Sequence, residues 1–221
     1  MTHIRLLACL ATAVALSSCD KTSTPSPPQS SPPNATALGM RKPNADGSVT
    51  IGLATDSIFQ SKTVWENQDG LSTPLAKLGG RPLIVALVFT QCQASCPIIM
   101  ADLKAIEAEL TIEELSNIRF AVFSIDAARE TATTLRTFAS DHHVDLKHWA
   151  FYHGDAAAVR ELAAMLHVRF AELPNGGFDH ANIITIVDSA GVQRFQQSGL
   201  GLSPREIVTH LRLLFTPAAT P

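Results

Sequence analysis

Two cysteines stand with three residues between them, Cys92-Gln93-Ala94-Ser95-Cys96, and Pro97 follows directly. Proline lacks an N–H, which costs nothing in the first turn of a helix, so a helix is expected to begin about here. A helix N-terminus presents unpaired N–H groups and positive potential. Both favour thiolate and lower a cysteine pKa. A four-residue step along a helix also turns both sulfurs to one side. Two neighbouring thiolates form a soft pair suited to Cu(I), zinc or disulfide chemistry. A third ligand from an imidazole completes a trigonal site that fits copper, whereas zinc normally takes a fourth ligand. The candidate imidazole is His180, in Phe178-Asp179-His180-Ala181-Asn182. His142, His143, His148, His153, His167 and His210 bear no patterned relation to the cysteines and read as ordinary surface or core residues. A structural disulfide between Cys92 and Cys96 stays open at this point.

The elements around these residues explain how they meet. Residues 83–90 are a continuous apolar, β-branched run, the pattern of a buried central strand, and residues 118–125 are a second. Helical spacing covers residues 98–110, with Ile99, Leu103, Ile106 and Leu110 on one face. Further elements are a strand at 63–66, a turn at 67–70, a helical turn at 74–78, a helix at 131–140 and a short strand at 149–152. Asp155 can cap a helix running to residue 166, and residues 181–187 and 192–196 flank an Asp188-Ser189-Ala190-Gly191 turn. Ser203-Pro204-Arg205-Glu206 has the form of a capping box opening a last helix to residue 215. Strands alternating with helices imply a parallel core sheet covered on both faces. The fold class is therefore α/β, a thioredoxin-like mixed sheet flanked by helices. In open α/β sheets ligands bind beyond the carboxyl ends of the parallel strands. Cys92 and Cys96 follow one such end, and Asp126 follows the other. His180 precedes strand 181–187, and it reaches the same rim if that strand runs antiparallel. Asp126 is either a rim residue or the cap of a loop.

The chain has 221 residues and a formal net charge of -3, with no basic stripe, so nucleic acid is not an expected partner. Arg5 followed by an apolar run at 6–16 has the layout of a secretory signal and is too short to span a bilayer. Its end, Leu16-Ser17-Ser18-Cys19, resembles the lipobox of bacterial lipoproteins, which implies acylation of Cys19 and a lipid anchor to the membrane. Asp20 points to the periplasmic side of the inner membrane. The organisation expected is a signal peptide at 1–18, a lipidated start and Pro/Ser/Thr-rich tether at 19–60, a folded domain at 61–215 and a tail at 216–221. Of 4 cysteines, Cys9 leaves with the signal and Cys19 carries lipid, so Cys92 and Cys96 alone remain as thiols.

Three blocks, in order, resemble the Sco/SenC family of copper-binding assembly factors. The first runs from Gly80-Arg81-Pro82 to Cys92 and Cys96-Pro97. The second is Phe123-Ser124-Ile125-Asp126-Ala127-Ala128-Arg129-Glu130-Thr131, and the third is Asp179-His180-Ala181 with Ile184-Thr185-Ile186-Val187-Asp188. The resemblance implies a copper site of Cys92, Cys96 and His180. It also implies delivery of copper to the copper-receiving subunit of a respiratory terminal oxidase. Gln93, Ala94 and Ser95 stand where the family usually places an Asp, and Ala127 stands where it usually has Pro. The competing reading is a thiol–disulfide oxidoreductase that reduces client cysteines, with Cys92 attacking and Cys96 resolving. A peroxiredoxin-like peroxidase fits less well, because Thr90 lies two residues before Cys92 rather than three.

Overall fold

The computed structural model describes residues 56–215. The signal-like run, Cys19, most of the tether and the tail at 216–221 lie outside the described residues. Leu83–Val88 forms β3, and all six of its residues are buried. A strand apolar on both faces needs neighbours on each edge and cover on each face. It pairs in parallel with β4, Arg119–Ser124, and antiparallel with β8, Ile183–Val187. β4 pairs in parallel with β5, Trp149–His153. Val64–Asn67 (β1) joins β5 and Ser72–Pro74 (β2) joins β1, both antiparallel, while Gln193–Ser198 (β9) closes the other edge beside β8. The seven-stranded order is β2-β1-β5-β4-β3-β8-β9.

Helices make the crossovers. Cys96–Ala108 (α1) and Ile112–Ser116 (α2) link β3 to β4, and Ala132–Asp141 (α3) links β4 to β5. Ala156–Met165 (α4) follows β5, and Arg205–Leu213 (α5) ends the described chain. The thioredoxin-like mixed sheet expected from the alternation is thus present, with helices flanking it. Asp155 caps α4 as expected, its carboxylate accepting the N–H groups of Ala157 and Ala158 at 2.9 and 2.8 Å. His143 and His167 close α3 and α4 with φ of 51° and 54°, the left-handed conformation that ends many helices. Packing extends to Ile58, 1% exposed, whose N–H donates to the Gly191 carbonyl at 2.9 Å.

Two local expectations change. The capping box at Ser203 is not formed: its hydroxyl only meets the Arg205 N–H at 3.4 Å, and Glu206 returns no bond. A second, two-stranded sheet, Phe170–Glu172 (β6) with Phe178–His180 (β7), stands where no strand was expected. Three-residue strands are too short for alternation to show. The Asn175-Gly176 pair at their turn was the available signal, with Gly176 at φ 77°.

The core is aromatic where β1, β4 and β5 meet. Phe123 packs edge-on to Trp65 at 4.8 Å and stacks on Tyr152 at 5.0 Å between ring centroids. Phe123→Ala removes both contacts and should lower the unfolding free energy by about 3–5 kcal/mol in a urea titration. Its two cysteines should keep their reactivity in the folded baseline, because the substitution lies within the core of β4.

A candidate metal centre of two thiols and an imidazole

Cys92 lies in the turn after β3, its N–H donating to the Phe89 carbonyl at 3.1 Å. The helix begins at Cys96, so the two sulfurs are not brought together by a helical step. The Cys92 sulfur instead acts as the cap of α1: it accepts the Cys96 N–H at 3.3 Å. This satisfies one of the donors that a helix N-terminus leaves unpaired, and the Ser95 side chain makes no capping bond.

His180 ends β7 and precedes β8. Because β8 runs antiparallel to β3, this end of it meets the loop that leaves β3. His180 Nε2 lies 3.8 Å from Cys96 Sγ and 3.5 Å from Ser95 Oγ, and the Ser95 hydroxyl is 3.6 Å from Cys92 Sγ. The ligand atoms of Cys92, Cys96 and His180 all lie within 4.8 Å of one another, and this is the one such group found among the described residues. Metal–sulfur and metal–nitrogen bonds of about 2.3 and 2.1 Å would place trigonal ligands about 3.8 Å apart. The Cys96–His180 separation already has that value. His180 Nδ1 faces the Ala181 carbonyl at 3.4 Å. A proton on Nδ1 leaves the Nε2 lone pair for a metal. Ser95 is the site residue that the sequence did not single out; its position next to Cys96 was the available hint.

The two thiols differ in environment. Both are free, Cys92 half-buried and Cys96 buried. Partial burial opposes ionisation of Cys92, but hydrogen bonds from the Cys96 N–H and thiol, the Ser95 hydroxyl and the Ala94 N–H outweigh it and bring its pKa from 9.0 to about 7. Burial pushes the Cys96 thiol strongly upward, and the neighbouring Cys92 adds to the rise. Burial also lowers the His180 pKa, which keeps the imidazole neutral. Neutral imidazole and a ready thiolate are the forms that bind metal.

Asp126, expected at the rim or in a loop, belongs to the loop. It is 1% exposed, accepts from Arg129 and is not among the three gathered ligands. A groove of about 450 Å³ opens beside the site, lined by Asp126, Arg129, Phe170 and Phe178 among others, and none of the three ligand residues lines it.

Fold and site together define a dithiol protein on a thioredoxin-like scaffold, with an imidazole set against the thiols. The SCO1/SenC family model matches residues 56–214, and the chain belongs to that family. It is 26% identical over 113 residues to the SCO1 protein homolog of Bacillus subtilis (strain 168). That match takes in 51% of this chain and 58% of the relative, so the chain spans little more than half of that protein's length. Among solved structures, a SCO1/SenC family lipoprotein from Bacillus anthracis str. Ames superposes with a TM-score of 0.65 at 21% identity, over 71% of this chain and 94% of that one. Yeast Sco1 with copper bound superposes with a TM-score of 0.60 at 20% identity, over 72% and 90%. These two likenesses establish the shared fold.

Alkylation of the reduced protein should separate the thiols. The rate at Cys92 should rise with pH and level off above a midpoint near 7, because the thiolate is the nucleophile. Cys96 should stay unmodified across neutral pH and react on unfolding, as mass mapping of the two peptides would read.

Proposed function

We propose that this protein binds one copper ion through Cys92 Sγ, Cys96 Sγ and His180 Nε2 and hands it to the copper-receiving subunit of a terminal oxidase. The observation that carries the reading is the convergence of two thiols and an imidazole, the soft ligand set for Cu(I), within 4.8 Å. Family membership and the copper-bound yeast relative support it. A lipid anchor at Cys19 would hold the domain at the periplasmic face of the inner membrane, and the lipoprotein relative supports the anchor.

Transfer has a physical direction. Cys96 and His180 are buried, while Cys92 is partly exposed. An incoming client thiolate or imidazole therefore adds to the metal from the Cys92 side. Cys92 is the first ligand to leave, and its lowered pKa makes it the better leaving group of the two thiolates. Cys96 and His180 retain the ion until a second client ligand arrives.

The test is a Cu(I) titration of the reduced chain carrying Cys9→Ser and Cys19→Ser, so that Cys92 and Cys96 are its thiols, beside the same protein with His180→Ala. The parent should bind one equivalent. The variant should lose at least about a hundredfold in affinity, since loss of an outer-sphere partner alone costs 10–100-fold. A parent that binds no copper specifically overturns the reading, and a variant that matches the parent removes His180 from the site.

The unequal thiols also favour a second activity at the same residues, reduction of a client disulfide. Cys92 would attack as thiolate and form a mixed disulfide, releasing one client thiol. Cys96 would then displace the second client thiol and leave a Cys92–Cys96 disulfide. Cys96→Ser should trap the mixed disulfide with a model disulfide substrate, and Cys92→Ser should form none, as read on a non-reducing gel.

A further inference from the structure

β6 and β7 form a separate two-stranded sheet. An isolated two-stranded hairpin is marginal in water, yet this one ends on His180. The link to β8 fixes the His180 end of the hairpin, while its turn at residues 173–177 needs a hold outside its own ladder. Segment 126–130, between β4 and α3, is placed to supply it. It leaves the sheet beside the end of β3, where the Ile125 N–H donates to the Val88 carbonyl at 2.8 Å.

We propose that segment 126–130 is a clasp that sets the spacing of the metal centre, with Arg129 positioning the His180 hairpin and Glu130 positioning the cysteine loop. The buried Asp126 carboxylate aims the guanidinium: one oxygen accepts the Arg129 N–H at 3.2 Å and the other accepts Arg129 Nε at 2.5 Å. The far end of the guanidinium, Nη2, donates to the Gly176 carbonyl at 2.5 Å, in the turn of the β6–β7 hairpin. Its carbon lies 5.7 Å from the Phe178 ring centroid, within cation–π range. Phe178 packs edge-on to Phe89 at 5.2 Å, and Phe89 packs edge-on to His180 at 6.1 Å. Gly176 serves this contact twice: its φ is 77°, and a Cβ there would meet the guanidinium at 3.3 Å.

The next residue holds the other half. Glu130, 6% exposed, accepts the Thr90 N–H at 2.8 Å through Oε1, while Oε2 accepts the Thr134 hydroxyl at 3.0 Å. Thr90 directly follows Phe89, whose carbonyl accepts the Cys92 N–H. Adjacent side chains, Arg129 and Glu130, thus reach the imidazole hairpin and the thiol loop. A shift of either arm alters the Cys–His spacing, and trigonal coordination depends on that spacing.

The metal-binding role of the clasp rests on the proposed copper site, while its mechanical role does not. The experiment compares the same parent, with Cys92 and Cys96 as its thiols, with Arg129→Lys and Glu130→Gln, by backbone hydrogen exchange without metal and by Cu(I) titration. Lysine keeps a cation beside Asp126 but cannot span Asp126 and Gly176 together. Arg129→Lys should speed exchange in residues 170–180 roughly fivefold, the worth of one hydrogen bond, and leave residues 89–92 unchanged. Glu130→Gln weakens a charge-assisted bond and should loosen residues 89–92 while sparing the hairpin. Arg136→Lys, at the surface pair with Asp69, should change neither. Each clasp variant should bind copper more weakly than the parent. Parental exchange in both variants, or loosening in both segments alike, overturns the clasp. Selective loosening with parental copper affinity overturns its role in metal binding. If the parent binds no copper, the copper reading fails and the exchange arm still decides whether the segment holds the two loops.

Discussion

β3 sits between a parallel neighbour, β4, and an antiparallel one, β8. That single reversal of direction governs the site. The chain leaving β3 carries the cysteines, and the chain entering β8 carries His180. With both neighbours parallel, the segment entering the third strand would lie at the opposite end of the sheet, a full strand length away. Six buried residues on β3 make the pairing costly to shift, since a slip of one residue would exchange the two faces of the strand.

Within that frame the site divides its electrostatics between two sulfurs. The one that caps the helix receives N–H donors and ionises near neutrality, while the one inside the first turn is buried and resists ionisation. A reactive, partly exposed thiolate beside a protected thiol suits metal exchange and disulfide exchange equally. The imidazole separates the two uses. Its Nε2 faces Cys96 rather than solvent, an arrangement that metal binding needs and that attack by Cys92 on a disulfide does not.

Rigidity is distributed unevenly around the centre. The thiols hang from β3, an interior strand of a seven-stranded sheet. The imidazole ends a small hairpin whose own ladder is short. The ion pair of Asp126 with Arg129 therefore matters more through where it points the guanidinium than through its charge energy. Only the carboxylate is buried, the Arg129 side chain being 36% exposed, and solvent keeps the net charge energy of such a pair modest.

Much of this was legible in the linear chain because it depends on local chemistry. The apolar run at 83–88, the helical spacing of four and then three residues through Ile99, Leu103 and Ile106, and the acid at Asp155 each specify an element from within a few residues. The cysteine pair, Pro97 and the three ordered blocks marked the ligand candidates in the same way. What stayed hidden depends on partners remote in sequence. The helix cap is a sulfur because the turn after β3 folds back on α1, and the i, i+4 rule could not anticipate a residue outside the helix. The β6–β7 hairpin has strands too short to show a period. Asp126 could have faced the rim or the loop, and the choice was made by Arg129 and a carbonyl 47 residues further along at Gly176. Residue types and short-range spacing thus decided which groups could do chemistry. Tertiary structure alone decided their distances, because those are set by strand direction and by long-range bonds whose partners no local pattern encodes.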